Sequence, residues 1–166
     1  MSVIFNRRSI RDYTDRPVPD ELIEKVIKAG MAAPSAGNQQ PWHFIVIDDR
    51  ETLNEIPKFH PHSNMLKKAS HAIVVCGDLP RQRYEGYWVQ DCSAATQNML
   101  LMATELGLGA VWLGVYPVDD RVKALKDLLD IPEEVIPLCI VSIGYPAESK
   151  EPADRFDASR IHKNKW

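Results

Sequence analysis

The chain has 166 residues, 45% hydrophobic and 26% charged, which is enough for one domain with a proper core. Its formal net charge of −3 argues against nucleic acid as the main partner, since that binding needs a field that attracts phosphates, although basic residues could still cluster locally. Cys76, Cys92 and Cys139 are odd in number, far apart and set in apolar surroundings, so they read as buried free thiols of a reducing compartment rather than a disulfide framework or zinc site.

The apolar run before Arg7 is too short for a secretory signal, and the expected location is cytoplasmic. Residues 2–6 suit a short helix. They lead into Arg7, Arg8, Ser9, Ile10 and Arg11, a cluster of guanidinium groups. Close cations repel, so the cluster is comfortable either in water or around an anion, where Ser9 adds a hydroxyl donor. Val18-Pro19-Asp20-Glu21 starts a helix, with proline near the first position and acids at the positive end of the dipole. Leu22, Ile23, Val26 and Ile27 continue it at helical spacing to an expected end near Gly30. Next come Pro34, Ser35, Ala36, Gly37, Asn38, Gln39, Gln40 and Pro41. A tight turn is the ordinary fate of such a string. Yet Ser35, Asn38 and Gln40 also offer uncharged donors and acceptors of the kind that hold the edge of a flat heteroaromatic ring. A strand follows over 43–47.

The pattern predicts a short helix over 51–56 and a polar loop over 58–64. His60 and His62 have no third ligand spaced to join them, so the loop reads as a cover over a pocket rather than a metal site. The strand over 71–77 is apolar enough to be central. Tyr84, Tyr87 and Trp88 introduce the longest helical segment, Asp91 to Glu105, which is uncharged between its terminal acids and free of glycine and proline. It reads as a helix buried on most sides, too short and too polar to cross a membrane. Ser93, Ala94, Ala95 and Thr96 let another backbone come close, whether in a monomer core or at a subunit interface. Gly107 and Gly109 end it, without the spacing of a dinucleotide fingerprint. A strand over 110–116 carries Gly114, which suggests close approach by a backbone or ligand. A helix over 118–129, a strand over 135–144 and a charged tail containing Arg155 and Trp166 complete the chain.

The basic cluster at 7–11, the Pro34-to-Trp42 loop, Gly107 to Gly114, and Gly144-Tyr145-Pro146 followed by Arg155 occur in an order that resembles the nitroreductase family of flavin enzymes. The resemblance implies an α+β fold, a three-layer α/β/α sandwich with a mixed, mainly antiparallel sheet, over a single domain 1–166. It implies a homodimer built on long central helices, with FMN at the interface and the tail, about 145–166, docking on the partner. Arg7, Arg8, Ser9 and Arg11 are then expected from one subunit, and Pro34, Ser35, Ala36 and Asn38 from the other, with Gln40 also among the cofactor-binding residues. Arg7, Ser9 and Arg155 are assigned to the FMN phosphate, and Arg11 to the N1 and O2 region of the ring. Trp112, Leu113 and Gly114 complete the cofactor set, with backbone groups of the last two near N5. The implied activity is ping-pong transfer from NAD(P)H through FMN to nitroaromatics, quinones or similar acceptors, with no essential side-chain acid or base. Open alternatives are a small redox protein as donor, a non-catalytic FMN store or sensor, and a specialised activity such as reductive dehalogenation or flavin fragmentation.

Overall fold

The computed structural model describes residues 2–166. In chain order the elements are α1 (Val3–Asn6), α2 (Asp20–Met31), β1 (Trp42–Ile47), α3 (Arg50–Phe59), β2 (His71–Asp78), α4 (Trp88–Glu105), β3 (Gly109–Gly114), α5 (Asp119–Leu129) and β4 (Val135–Gly144). The strands form one four-stranded sheet in the order β1-β2-β4-β3, each pair antiparallel. The parallel component of the expected mixed sheet is a single bridge, Ser9 to Ala110, at the outer edge of β3.

Side chains alternate between faces along a strand, and this period divides the core in two. Ile73 and Val75 of β2, with Cys139, Val141 and Ile143 of β4, pack on α2 and α4. Ala72, Val74 and Cys76, with Ile140, pack on Leu53 and Ile56 of α3 and Leu125 of α5. Burying both faces of β2 and β4 makes them continuous apolar runs and leaves β1 and β3 as the edges.

Four boundaries differ from the sequence pattern, each for a packing reason. Gly30 lies inside α2 rather than beyond it, because α2 crosses α4 so closely that a Cβ there would lie 2.9 Å from Met99 Cγ. The third helix runs over Arg50–Phe59 instead of 51–56 and passes through Pro57. The proline removes one backbone donor, but Leu53 and Ile56 are buried and the half-buried Phe59 packs against the same core, which carries the helix past it. α4 starts at Trp88, whose ring lies where a side chain on Gly77 would stand. The strand expected over 110–116 stops at Gly114, because Val115 and Tyr116 both donate to the carbonyl of Leu138 and break the ladder.

α4 is less enclosed than its composition suggests. Its sheet-facing residues, among them Cys92, Ala95, Thr96, Met99 and Ala103, are buried, while Ser93, Ala94, Leu101 and Met102 are half-buried and Gln97 is exposed. Within one chain this helix has one buried face rather than burial on most sides. No helix among the described residues is long and apolar enough to cross a membrane.

Candidate functional site

The outer edge of β3 organises the site. In an antiparallel pair, hydrogen bonds to the neighbouring strand alternate along the chain. Val115 donates to Leu138 on β4, while Ala110 turns outward and accepts from the Ile10 amide at 3.0 Å. The even residues Ala110, Trp112 and Gly114 therefore direct their backbone groups to the open edge. Residues 9–11 run parallel to β3 beside Ala110. This produces a lane about 13 Å long, starting at the basic cluster and ending at Gly114, where no atom lies within 4 Å of an added Cβ. Gly114 thus has open space above it, which suits approach by a ligand.

The basic end is held by bonds that leave its guanidinium groups uncommitted among the described residues. The buried Tyr13 hydroxyl donates to the Ile10 carbonyl at 2.9 Å and accepts from Ser142 Oγ at 3.0 Å. Glu148 accepts from the Arg11 amide at 2.6 Å, and Lys150 donates to the Ser9 carbonyl at 2.8 Å. Residues 145–150 therefore bond to the chain's own 9–14 segment. Arg7 and Arg155 line one cavity of about 370 Å³ with Ile4, Phe5, Asp154 and Phe156. Burial, then Arg155, then Arg8 hold the Arg7 guanidinium below its ordinary range. Two guanidinium groups against the single carboxylate of Asp154 leave this cavity with a positive excess that suits an anion. Arg8 lines a separate cleft with Glu148 and Lys150. A larger cleft, about 460 Å³, lies at the His71 end of β2. Its Arg50 is spent on the carbonyls of Leu66, Lys67 and Ala69, and its Arg16 stacks over Tyr145.

The loop 34–40 is anchored elsewhere, at the start of α4. Buried Asp91 accepts from the Ala36 amide at 2.9 Å and from Gln39 Nε2 at 2.7 Å. Gln39 Oε1 in turn accepts from the Arg83 and Tyr84 amides. Ser35 Oγ accepts from the Gln40 amide, and Asn38 Oδ1 from Gln40 Nε2. Three of these residues have positive φ: Gly37 at 52°, Asn38 at 54° and Gln40 at 47°. Left-handed conformations cost about 1–3 kcal/mol each in non-glycine residues and persist only where the surroundings over-determine them. At Gly37 a side chain would also meet the Tyr84 ring. The strain is therefore concentrated in the stretch that the sequence assigns to ring recognition.

His60, read from sequence as part of a covering loop, lies at the other end of the lane. It caps α3 and is 1% exposed, with Nε2 2.9 Å from the Gly114 carbonyl. Arg121 donates to the same carbonyl at 3.0 Å. Because a carbonyl only accepts, Nε2 carries the proton. Nδ1 is buried with no hydrogen-bond partner among the described residues. Burial holds the imidazole below its ordinary 6.5, Arg121 and His62 push the same way, and the Gly114 bond opposes them. As pH falls below about 6.5, the unfolded chain takes up a proton here that the folded chain resists, so stability drops. Thermal melts between about pH 7 and 5 are expected to fall more steeply for wild type than for His60→Gln. Equal slopes would remove the neutral-imidazole assignment.

Within one chain the structure thus brings together Arg7, Ser9, Arg11, Trp112, Leu113 and Gly114, with Arg155 beside Arg7. Pro34, Ser35, Ala36, Asn38 and Gln40 form a second group at the corner where β1 begins. It is three strand spacings from β3, about 14 Å. Sequence reading missed Asp91, Gln39, Tyr13, His60 and Arg121. The signal for Asp91 was an acid entering an otherwise uncharged helix, and for Tyr13 an aromatic just after the basic cluster. The donor set fits the FMN implied above: guanidinium groups at one end, backbone polar groups and open space at the other. The cysteines take no part. Burial pushes Cys76 and Cys139 up to about 12, and Cys92 upward too. Among the described residues no three His, Cys, Asp or Glu side chains gather as a metal would require.

The profile of the Nitroreductase family matches residues 4–75 and 60–145. A protein of Archaeoglobus fulgidus, provisionally named NADH dehydrogenase/NAD(P)H nitroreductase, is 54% identical, with the match covering 100% of this chain and 98% of that protein. The crystal structure of a Clostridium acetobutylicum protein, provisionally named NADH oxidase, aligns with a TM-score of 0.96 at 48% identity, covering 99% of this chain and 100% of that one. A provisionally named nitroreductase of Desulfovibrio desulfuricans, solved in complex with FMN, aligns with a TM-score of 0.85 at 32% identity, covering 99% and 95%.

Proposed function

Because this chain belongs to the nitroreductase family, we propose that it is an FMN-dependent oxidoreductase that moves reducing equivalents from NAD(P)H to nitroaromatics, quinones or similar electron-poor acceptors. The observation that carries this reading is the lane along β3, with Arg7 and Arg155 lining one cavity at its basic end and open space above Gly114 at the other. When bound there, FMN supplies the hydride chemistry. Arg7, Ser9 and Arg155 grip its phosphate with charge-assisted hydrogen bonds. Arg11 places a positive charge beside the N1 and O2 region, where negative charge accumulates. The outward amide of Gly114 meets the N5 edge, and the missing side chain leaves that edge accessible. No side-chain acid or base is required of the chain, and donor and acceptor use the same open face in turn, a ping-pong order.

The site is completed by a second copy of the chain. The strained 34–40 loop presents Asn38 and Gln40 outward at the far corner of the sheet, suited to the partner's flavin rather than to its own. Ile4, Phe5, Phe156, Ile161 and Trp166 are exposed apolar side chains near the chain's ends, and α4 keeps a half-buried outer face. Pairing through α4, with the tail beyond residue 156 crossing to the partner, covers this surface. The three buried unpaired thiols fit a cytoplasmic location.

The test is spectroscopic. Purified protein is expected to sediment as a dimer and to show a flavin absorbance that NADH or NADPH bleaches rapidly and a quinone or nitroaromatic restores. Bound flavin that neither nucleotide reduces would favour a protein electron donor or a storage role, which reduction by a small redox protein separates. A colourless monomer with no affinity for FMN overturns the proposal.

A further inference from the structure

We propose that His60 is a positioning residue for the cofactor edge: with Arg121 it clamps the Gly114 carbonyl and so fixes the direction of the neighbouring backbone in the site. The inference rests on the flavin reading given above. Gly114 ends β3 as an exposed glycine, the residue with most backbone freedom. Beyond it, the Val115 amide is tied to Leu138 at 3.1 Å. On the other side of the same peptide group, the carbonyl takes two donors, His60 Nε2 at 2.9 Å and Arg121 at 3.0 Å. With that peptide group held on both sides, the C-terminal side of Gly114 is fixed, and the glycine that carries the outward amide loses much of its freedom to turn.

Simple satisfaction of a carbonyl does not account for this arrangement. Arg121 already donates to the Gly114 oxygen, so the carbonyl is satisfied without a histidine. His60, by contrast, is buried with its Nδ1 left without a partner among the described residues. An unmet buried acceptor is costly, and an apolar side chain would fill the same space without it. The neighbouring His62 ring meets His60 edge-on at 6.3 Å between centroids, so it packs against the imidazole. The arrangement makes sense if the gain lies in the direction that Nε2–H imposes on Gly114. The donors come from the ends of two separate helices, α3 and α5, both packed on the same sheet face. The clamp thus couples that layer to the open edge of β3.

Glutamine and asparagine separate reach from chemistry. A glutamine amide nitrogen can occupy the place of Nε2, whereas the shorter asparagine cannot reach Gly114. In FMN titrations of the apoprotein, His60→Asn is expected to weaken binding about tenfold, as the loss of about 1.4 kcal/mol corresponds to, and to shift the flavin midpoint potential. His60→Gln is expected to stay within about threefold of wild type. In the apoprotein, amide hydrogen exchange at Gly114 and Val115 should accelerate in His60→Asn and not in His60→Gln, and ring nitrogen chemical shifts should show the Nε2–H tautomer. The exchange and tautomer measurements need no FMN, so a wild-type chain that fails to bind flavin sinks the functional reading while leaving the clamp decided by exchange. Equal exchange and equal FMN affinity in both variants, or an Nδ1–H tautomer, overturns the inference.

Discussion

The double variant Arg7→Ala/Arg155→Ala is expected to be folded and colourless. Each guanidinium is assigned a charge-assisted bond to the FMN phosphate, worth about 1.5–3 kcal/mol. Losing both costs about 3–6 kcal/mol, a fall of roughly 10²- to 10⁴-fold in affinity. The fold itself has no stake in these charges. Arg7 is half-buried and Arg155 exposed, and burial together with Arg155 and Arg8 already works against the charge on Arg7. Deleting them removes a repulsion, so the melting temperature of the apoprotein should hold or rise. Salt gives a second reading: FMN affinity of the wild type should weaken as ionic strength screens the cluster, and that of the double variant much less. A yellow, FMN-replete double variant would remove the phosphate assignment.

Asp91→Asn is expected to damage both stability and cofactor binding, although Asp91 lies far from the basic cluster. Its two oxygens receive two donors, the Ala36 amide and Gln39 Nε2. Asparagine can accept one and must oppose the other, which costs about 2–4 kcal/mol at a buried site. The larger consequence is conformational. The positive φ angles of Gly37, Asn38 and Gln40 persist because Asp91 and Gln39 hold both ends of the turn, and a released loop relaxes toward ordinary backbone. FMN affinity should therefore fall together with the melting temperature. A swap supplies the control. In Asp91→Asn/Gln39→Glu, the asparagine oxygen still accepts from Ala36 and its amide donates to the new carboxylate, which still accepts from the 83–84 amides. Partial recovery of both quantities is expected, measured as a double-mutant cycle. A swap no better than Asp91→Asn alone would mean that a carboxylate at position 91 itself, and not the bond pattern, holds the loop.

Much of this protein was legible along the chain. The strands at 71–77 and 135–144 announced themselves as apolar runs because both of their faces are buried. The basic cluster and Gly114 stood out as residues that a plain core does not need. The errors at helix and strand ends were errors of neighbourhood: Gly30 looked like a stop although Met99 packs against it, and the helix expected over 51–56 runs on through Pro57 to Phe59, which packs against the core.

Composition and periodicity by themselves indicated the elements, since those depend on residues a turn or a pleat apart, while the layered fold and the proposed cofactor segments came from an order of motifs that resembles the nitroreductase family. Only the tertiary structure decided what holds the site in shape. Asp91 meets Ala36 across 55 residues, His60 meets Gly114 across 54, and Tyr13 reaches Ser142 across 129. A hydrogen bond depends on distance in space and is indifferent to distance along the chain, so these anchors came into view only once the sheet had brought their partners together.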